Sequence, residues 1–280
     1  MNKQLLKEFV ENALKEDIGD GDHSSLACIP ASAKGKAQLL VKEEGVLAGV
    51  EVAIAIFKQV EPAIEIEIFL KDGTFVKPGD VVLHISGSTQ ALLKSERLVL
   101  NVMQRMSGIA TRTNEYVQKL EGLSTKILDT RKTTPGMRML EKEAVKIGGG
   151  ENHRMGLFDM VMLKDNHIDF AGGIEKAILA VHTYLKEKNK DLKIEVEVRS
   201  MEELKEVMRV GGVDRIMLDN FNVETTRKAV ELINGRFETE SSGGITMELF
   251  RQYAETGVDY ISVGALTHHI KSLDLSLKAL

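Results

Sequence analysis

The sequence predicts an α/β fold, a parallel β/α barrel preceded by a smaller α+β domain, on three observations. Short apolar strands alternate with amphipathic helices through the second half of the chain. Those helices stop at glycines 22 to 24 residues apart, the spacing of successive βα units. The first third is instead made of short β-prone runs broken by Gly and Pro.

The strands of the barrel are read at KIL (126–128), MVML (160–163), IEVEV (194–198), RIML (215–218) and YISV (260–263). Between them, Ser200 with Glu203 makes a capping box for MEELKEVMRV, which stops at Gly211-Gly212; ETTRKAVELIN stops at Gly235 and TMELFRQYAET at Gly257. GGG at 148–150 stops the helix EKEAVKI. A closed barrel is the simplest arrangement, with an open doubly wound sheet as the alternative. Ahead of these units, Leu5, Leu6, Phe9, Val10, Ala13 and Leu14 recur at helical spacing and predict an amphipathic helix ending near Gly19. AQLLV, IEIEIFL and VVLHIS then read as strands around a helix from Val50 to Val60. Residues 90–121 are helical in pattern with an interruption at Ser107-Gly108, where the boundary is drawn. The division is a 1–107 N-terminal α+β domain and a 108–268 barrel, with the tail 269–280 packing back on the first domain.

Composition excludes several classes. With 37 Lys+Arg against 42 Asp+Glu, no Trp and 5% aromatics, the chain lacks the basic surface and stacking residues of a nucleic-acid binder. No apolar run approaches the roughly 18 residues of a membrane span, and the opening residues mix acids into their apolar positions, so a soluble cytoplasmic protein is expected. A single cysteine, Cys28, excludes an internal disulfide or a thiolate zinc site and reads as a small core or loop residue. His23, His84 and His182 read as structural, and adjacent His268 and His269 as diverging on a helix.

Barrels of this kind carry their chemistry where the strands end. Here KIL runs into Asp129, Arg131 and Lys132; MVML into Lys164, Asp165, Asn166 and His167; RIML into Asp219 and Asn220; and YISV into Gly264. DTRKTTPGMR (129–138) concentrates Arg131, Lys132 and Arg138 in a net acidic chain, and His153 and Arg154 follow in ENHR. Such a cluster suits an anionic ligand. Glu195 and Glu197 share one side of their strand, which fits either a solvated edge strand or a functional one. Two separated carboxylates, Glu197 and Asp219, suit Mg2+. SSGGI (241–245) and VGAL (263–266) are glycine turns ahead of helical segments and could seat a phosphate. Ser-His-Asp, Walker and Rossmann patterns are absent.

These residues resemble the quinolinate phosphoribosyltransferase family. The matching stretches are SERLVLNVMQRMSGIAT (95–111), DTRKTTPGMR, GGGENHRMGLFD (148–159), LKDNHI (163–168), EVEV (195–198), LDNF (218–221), ESSGGI (240–245) and ETGVDYISVGALTH (255–268), with GVLAGVEVA (45–53) less distinctive. The resemblance implies an incomplete, seven-stranded barrel and a homodimer in which the partner's N-terminal part closes the barrel mouth. It implies that quinolinate meets Arg131, Lys132, His153, Arg154 and Lys164, with Arg97 from the partner chain. It further implies that phosphoribosyl pyrophosphate and Mg2+ are held by Glu197 and Asp219, with the 5′-phosphate on Ser242, Gly243, Gly264 and Ala265. A transferase of NAD biosynthesis is expected, with Lys132, Lys164, Glu197 and Asp219 as its catalytic set. Two other readings are a nicotinate-using relative and a non-catalytic carrier, the latter suggested by KPGDVVLHISG (77–87).

Overall fold

The structure, a computed structural model, describes residues 1–280. In chain order its elements are α1 (Lys3–Ile18), α2 (His23–Cys28), β1 (Lys34–Val41), β2 (Gly45–Val46), α3 (Val50–Val60), β3 (Glu65–Ile68), β4 (Phe75–Val76), β5 (Val81–Ser88), α4 (Thr89–Gln118), β6 (Lys126–Leu128) and α5 (Arg138–Ile147). They continue with β7 (Val161–Leu163), α6 (Asp165–Ala171), α7 (Ile174–Glu187), β8 (Ile194–Val198), α8 (Met201–Val210), β9 (Arg215–Asp219), α9 (Val223–Ile233), β10 (Glu238–Ser242), α10 (Phe250–Ala254), β11 (Tyr260–Ser262), α11 (Ala265–His268) and β12 (Leu275–Ala279). Two compact units result. One comprises Met1–Asn114, Thr133–Gly149 and Leu266–Leu280, the other Glu115–Lys132 and Gly150–Ala265.

The first unit holds an antiparallel sheet in the order β12-β1-β5-β3. In β1 the burial alternates, with Ala37, Leu39 and Val41 inside. Helix α3 buries Val52, Ala53, Ile56 and Phe57, and α1 packs against it. Asn2 caps α1 by accepting the Gln4 and Leu5 N–H groups, and Gly19 ends the helix at φ +55, where a side chain would be strained. Cys28 is the exposed last residue of α2, not a core residue. His268 and His269, expected to diverge, meet with their Nδ1 atoms 3.3 Å apart, because α11 ends at His268 and the two rings are no longer held to one helical spacing.

Helix α4 runs without a break through Ser107-Gly108. These small residues let the helix approach its neighbours closely. Ser107 Oγ donates to the Ala48 carbonyl and accepts the Ala48 N–H, at 3.1 and 2.9 Å, and a Cβ at Gly108 would lie 2.3 Å from the Lys271 carbonyl oxygen. No helix is long and apolar enough to cross a membrane.

The second unit holds a parallel sheet of six strands in the order β6-β11-β10-β9-β8-β7. From β7 to β11 the strands neighbour one another in chain order, and β11 returns to the side of β6. That is the sequential winding of a barrel rather than the reversal of a doubly wound sheet. On the free side of β6 a single parallel bridge joins Leu128 to Glu151. Five of the six strands coincide with the apolar runs read from the sequence. The sixth, β10, is ETESS; it has no aliphatic residue yet its middle three residues are buried. Strand β8 lies between β7 and β9, so the solvated-edge explanation of Glu195 and Glu197 does not hold.

The helix ends differ in detail from expectation. Ser200 accepts the Glu203 N–H, but the Glu203 carboxylate reaches the Arg199 N–H at 2.7 Å instead of completing the box at Ser200. Asn234, at φ +48, closes α9 one residue ahead of Gly235. Only Phe250–Ala254 of the segment ending at Gly257 is helical.

Replacing Gly108 by Ala should lower Tm. Helix propensity favours Ala by about 1 kcal/mol, whereas forcing a methyl against a main-chain oxygen costs roughly 1–3 kcal/mol. A thermal melt with unchanged or raised Tm would contradict the close approach.

Candidate active site

Successive strand residues point to opposite sides, and the second sheet sorts its residues accordingly. Ile194, Val196, Val198, Ile216 and Leu218 join Leu204 and Val207 of α8 and Ala229 and Ile233 of α9 in one buried apolar cluster. The opposite alternation carries Glu195, Glu197, Arg215, Asp219, Glu238, Glu240 and Ser242. A barrel lined by aliphatic side chains is the usual filling. Here charges take that place, in rows set by the register: Glu195 beside Arg215 and Glu238, then Glu197 beside Met217 and Glu240, then Asp219 beside Ser242 at the strand ends.

The lower rows form a closed ionic cluster. Arg215 donates from Nη1 to Glu240 at 3.0 Å and from Nη2 to Glu238 at 3.0 Å, with its guanidinium 4.0 Å from the Tyr260 ring centroid. His153 Nε2 lies 2.9 Å from Glu195 and 3.3 Å from Glu240, and both carboxylates are 0% exposed. Burial, then the neighbouring Glu240, pushes the Glu195 carboxyl up to about 7. Burial also acts to raise Glu240, but His153 and Arg215 outweigh it and hold that carboxyl below the usual range. For His153, burial opposes protonation while the two carboxylates favour it, pushing the pKa up to about 9. A second ring proton would have to sit on Nδ1, which already accepts the Arg154 N–H at 2.7 Å. That contact favours the ring tautomer with its proton on Nε2, facing the two carboxylates. His153, Glu195 and Glu240 are close enough to ligate a metal. However, Nε2 offers a proton rather than a lone pair, and Arg215 already answers Glu240.

The upper row is open. Lys164, directly after β7, places Nζ 2.9 Å from Oε2 of Glu197. Asp219 Oδ2 accepts from Asn220 Nδ2 at 2.7 Å. Ser242 ends β10, and its carbonyl accepts the Asn220 N–H at 2.9 Å. Gly243 stands at φ +99, where a Cβ would come 2.2 Å from Asn220 Oδ1, so this turn needs glycine. Gly264 and Ala265 follow β11. Burial, then the charge of Arg131, pushes the Arg154 pKa down, which sets these two cations against each other. Arg154 Nη1 also donates to the Met160 carbonyl at 3.3 Å. Asp129, fully buried, accepts from the Asn152 side chain at 2.5 Å and the His153 N–H at 2.9 Å, and so anchors the segment that carries Arg154.

Arg131, Lys132, His153, Arg154, Lys164, Glu197, Asp219, Ser242, Gly243, Gly264 and Ala265 thus belong to one compact unit. Arg97, exposed on α4, and Arg138, whose Nε donates to Thr133 Oγ1 at 3.0 Å, belong to the other. Sequence reasoning missed Arg215, Glu238 and Glu240. Their signal was the alternate spacing of Glu238 and Glu240, the same as in IEVEV, but without apolar residues between them.

A barrel-wound sheet with cations and acids gathered at its strand ends defines a class, α/β enzymes acting on anionic substrates. The model of the quinolinate phosphoribosyl transferase C-terminal domain matches residues 109–278, and that of its N-terminal domain matches 22–107. The chain belongs to the quinolinate phosphoribosyltransferase family. It is 48% identical over 288 residues to the chloroplastic nicotinate-nucleotide pyrophosphorylase (carboxylating) of Oryza sativa subsp. japonica, covering 98% of this chain and 77% of that one. It is 43% identical over 277 residues to a probable nicotinate-nucleotide pyrophosphorylase (carboxylating) of Bacillus subtilis, with 99% and 94% covered. The crystal structure of NadC from Streptococcus pyogenes superposes with a TM-score of 0.93 at 40% identity, over 100% of this chain and 99% of that one. The family resemblance carried by the sequence motifs is borne out.

Arg215→Ala would leave Glu240 buried without its cation. Removing one partner of a buried pair costs about 3–5 kcal/mol, so a large fall in the denaturant midpoint is expected. A midpoint within error of wild type would show that the cluster is not held by this pair.

Proposed function

We propose that the chain transfers the phosphoribosyl group of phosphoribosyl pyrophosphate to quinolinate with decarboxylation, giving nicotinate mononucleotide, pyrophosphate and CO2 in NAD biosynthesis. The observation that carries this reading is the pairing of Arg131 with Arg154 in one unit. Two cations that push on each other are relieved by a dianion such as quinolinate. Arg131 and Arg154 offer planar forks to its carboxylates; Lys132 and Lys164 serve as point charges. The glycine turn at Ser242-Gly243, with Gly264 and Ala265, receives the 5′-phosphate on main-chain N–H groups.

In the proposed reaction the pyridine nitrogen gives its lone pair to C1 of the ribose, and the C1–O bond breaks with its electron pair leaving on pyrophosphate. The carboxylate beside the now cationic nitrogen departs as CO2. Its bonding pair stays on the ring carbon, where the positive nitrogen stabilises it until a proton is taken up. The chain's part is positioning and electrostatics, without a protein nucleophile. Glu197 and Asp219 would hold Mg2+. The donor set fits, since both are hard oxygen ligands on adjacent strands, Lys164 and Asn220 each engage one oxygen, and a carboxylate has a second to offer. When bound, the ion offsets the charge of the pyrophosphate group. Lys164 holds Glu197 in place and lies within the same upper row.

The finer architecture also belongs to this proposal: the Glu151 segment makes a seventh strand of an incomplete barrel, and the enzyme is a homodimer in which exposed Arg97 serves the partner's site. A single unpaired cysteine suits a reducing compartment, and the cytoplasm is the proposed location.

Incubation with phosphoribosyl pyrophosphate, Mg2+ and either quinolinate or nicotinate tests the reading. Quinolinate should yield nicotinate mononucleotide and CO2; turnover of nicotinate alone would overturn it. Arg131→Ala should cut kcat/KM for quinolinate at least about tenfold, since a charge-assisted hydrogen bond is worth about 1.5–3 kcal/mol. Mixing inactive Arg97→Ala and Lys164→Ala chains should restore part of the activity through hybrid sites. Absence of restoration in demonstrated heterodimers would refute the shared site.

A further inference from the structure

We propose that Tyr253 is a positioning residue for phosphoribosyl pyrophosphate: its hydroxyl, through the Phe221 carbonyl, fixes the corner at which Asp219 and the Ser242-Gly243 turn meet. The identity of the ligand rests on the functional reading above; the geometry of the corner does not.

Three residues, Asn220, Phe221 and Asn222, join the end of β9 to the start of α9. A turn this short must find partners for its main-chain groups once it leaves water. Asn220 stands at φ +56, a left-handed conformation uncommon for a residue with a side chain and kept only where neighbouring contacts impose it. Its N–H donates to the Ser242 carbonyl at 2.9 Å, which ties the loop to β10 just ahead of Gly243, and its Nδ2 donates to Asp219 Oδ2 at 2.7 Å. At the far end Asn222 caps α9, accepting the Thr225 N–H at 2.8 Å. Between these anchors Phe221 buries its ring in the apolar cluster, and its carbonyl accepts the Tyr253 hydroxyl at 2.8 Å.

Tyr253 stands on a firm base. Phe250, one turn earlier on α10, is fully buried and meets Tyr116 edge-on with ring centroids 4.8 Å apart. Buried Thr256 donates from Oγ1 to the Tyr253 carbonyl at 2.6 Å. Burial pushes the Tyr253 phenol up from its ordinary value, so at neutral pH it keeps the proton it donates. Without this hydroxyl the buried Phe221 carbonyl loses its donor, and the left-handed turn loses support on its C-terminal side. Asp219 and Ser242 are the groups released, since Asn220 holds both. Both belong to the part of the unit assigned to phosphoribosyl pyrophosphate. Arg131, Arg154 and Lys164, assigned to quinolinate, stand on other segments, so the loss should fall on one substrate.

Steady-state kinetics of Tyr253→Phe, with each substrate varied while the other is saturating and Mg2+ is in excess, tests this selectivity. The KM for phosphoribosyl pyrophosphate should rise roughly three- to tenfold, the worth of one neutral hydrogen bond. That for quinolinate should stay within roughly twofold of wild type. Calorimetric titration with phosphoribosyl pyrophosphate and Mg2+ should show the same weakening without turnover. An unchanged affinity for phosphoribosyl pyrophosphate, or an equal rise in both KM values, would overturn the proposal. Thr256→Val removes a buried hydroxyl that donates to Tyr253 rather than to the loop. It should lower Tm yet keep the phosphoribosyl pyrophosphate KM within roughly twofold; a rise matching that of Tyr253→Phe would mean general loosening and defeat the inference. Should Tyr253→Phe not fold, 4-aminophenylalanine at position 253 takes its place. Its N–H is a weaker donor, and the same KM should rise at least about twofold, an unchanged value counting against the proposal. A wild-type chain without affinity for phosphoribosyl pyrophosphate would overturn the functional reading and this inference together. Wild-type binding that persists undiminished in Tyr253→Phe overturns the inference alone.

Discussion

A charge taken out of water must be answered by its neighbours, and the second unit is organised around charges that are. Glu195, Glu240 and Arg215 occupy the side of a parallel sheet that aliphatic residues ordinarily fill. Glu240 is met by Arg215 at 3.0 Å, and Glu195 has the His153 ring 2.9 Å away. This mutual dependence fixes more than stability. It places the His153 ring with Nε2 toward the carboxylates and Nδ1 toward the Arg154 N–H.

Above this closed layer the pairing becomes progressively incomplete. Lys164 and Glu197 are matched, but Lys164 remains half-exposed. Burial, then the nearby charge of Arg131, pushes the Arg154 pKa down. An acidic chain of net charge −5 can in this way keep a strongly positive spot. The family to which the chain belongs handles substrates of that kind, and the charge gradient supplies a physical reason why this face suits them.

Much of this was legible in the sequence, and what was not has identifiable causes. Strands β6, β7, β8, β9 and β11 announce themselves because one of their faces packs on helices and must be apolar. Strand β10 does not. Its outward Thr239 is satisfied by Asp259, with the Thr239 N–H and Oγ1 both donating to that carboxylate, and its inward Glu240 by Arg215 and His153, so polar residues are stable where pattern reading looks for aliphatic ones. The break expected at Ser107-Gly108 rested on helix propensity, which tertiary packing overrode. Arg131, Lys132, Arg154, Lys164, Glu197 and Asp219 were visible as charged residues beside strand ends. Arg215 and Glu240 were not, since their meaning appears only when β9 and β10 stand side by side in register.

The first sheet carries a consequence of a different kind. Its order, β12-β1-β5-β3, sets one of the last segments of the chain beside one of the first. During synthesis β1 emerges well before β12 and waits for it with one edge bare. An unpaired strand edge is a template for wrong partners. Lys34 and Lys36, alternating along β1, place positive charge on that strand while it waits, a modest guard against association before β12 arrives.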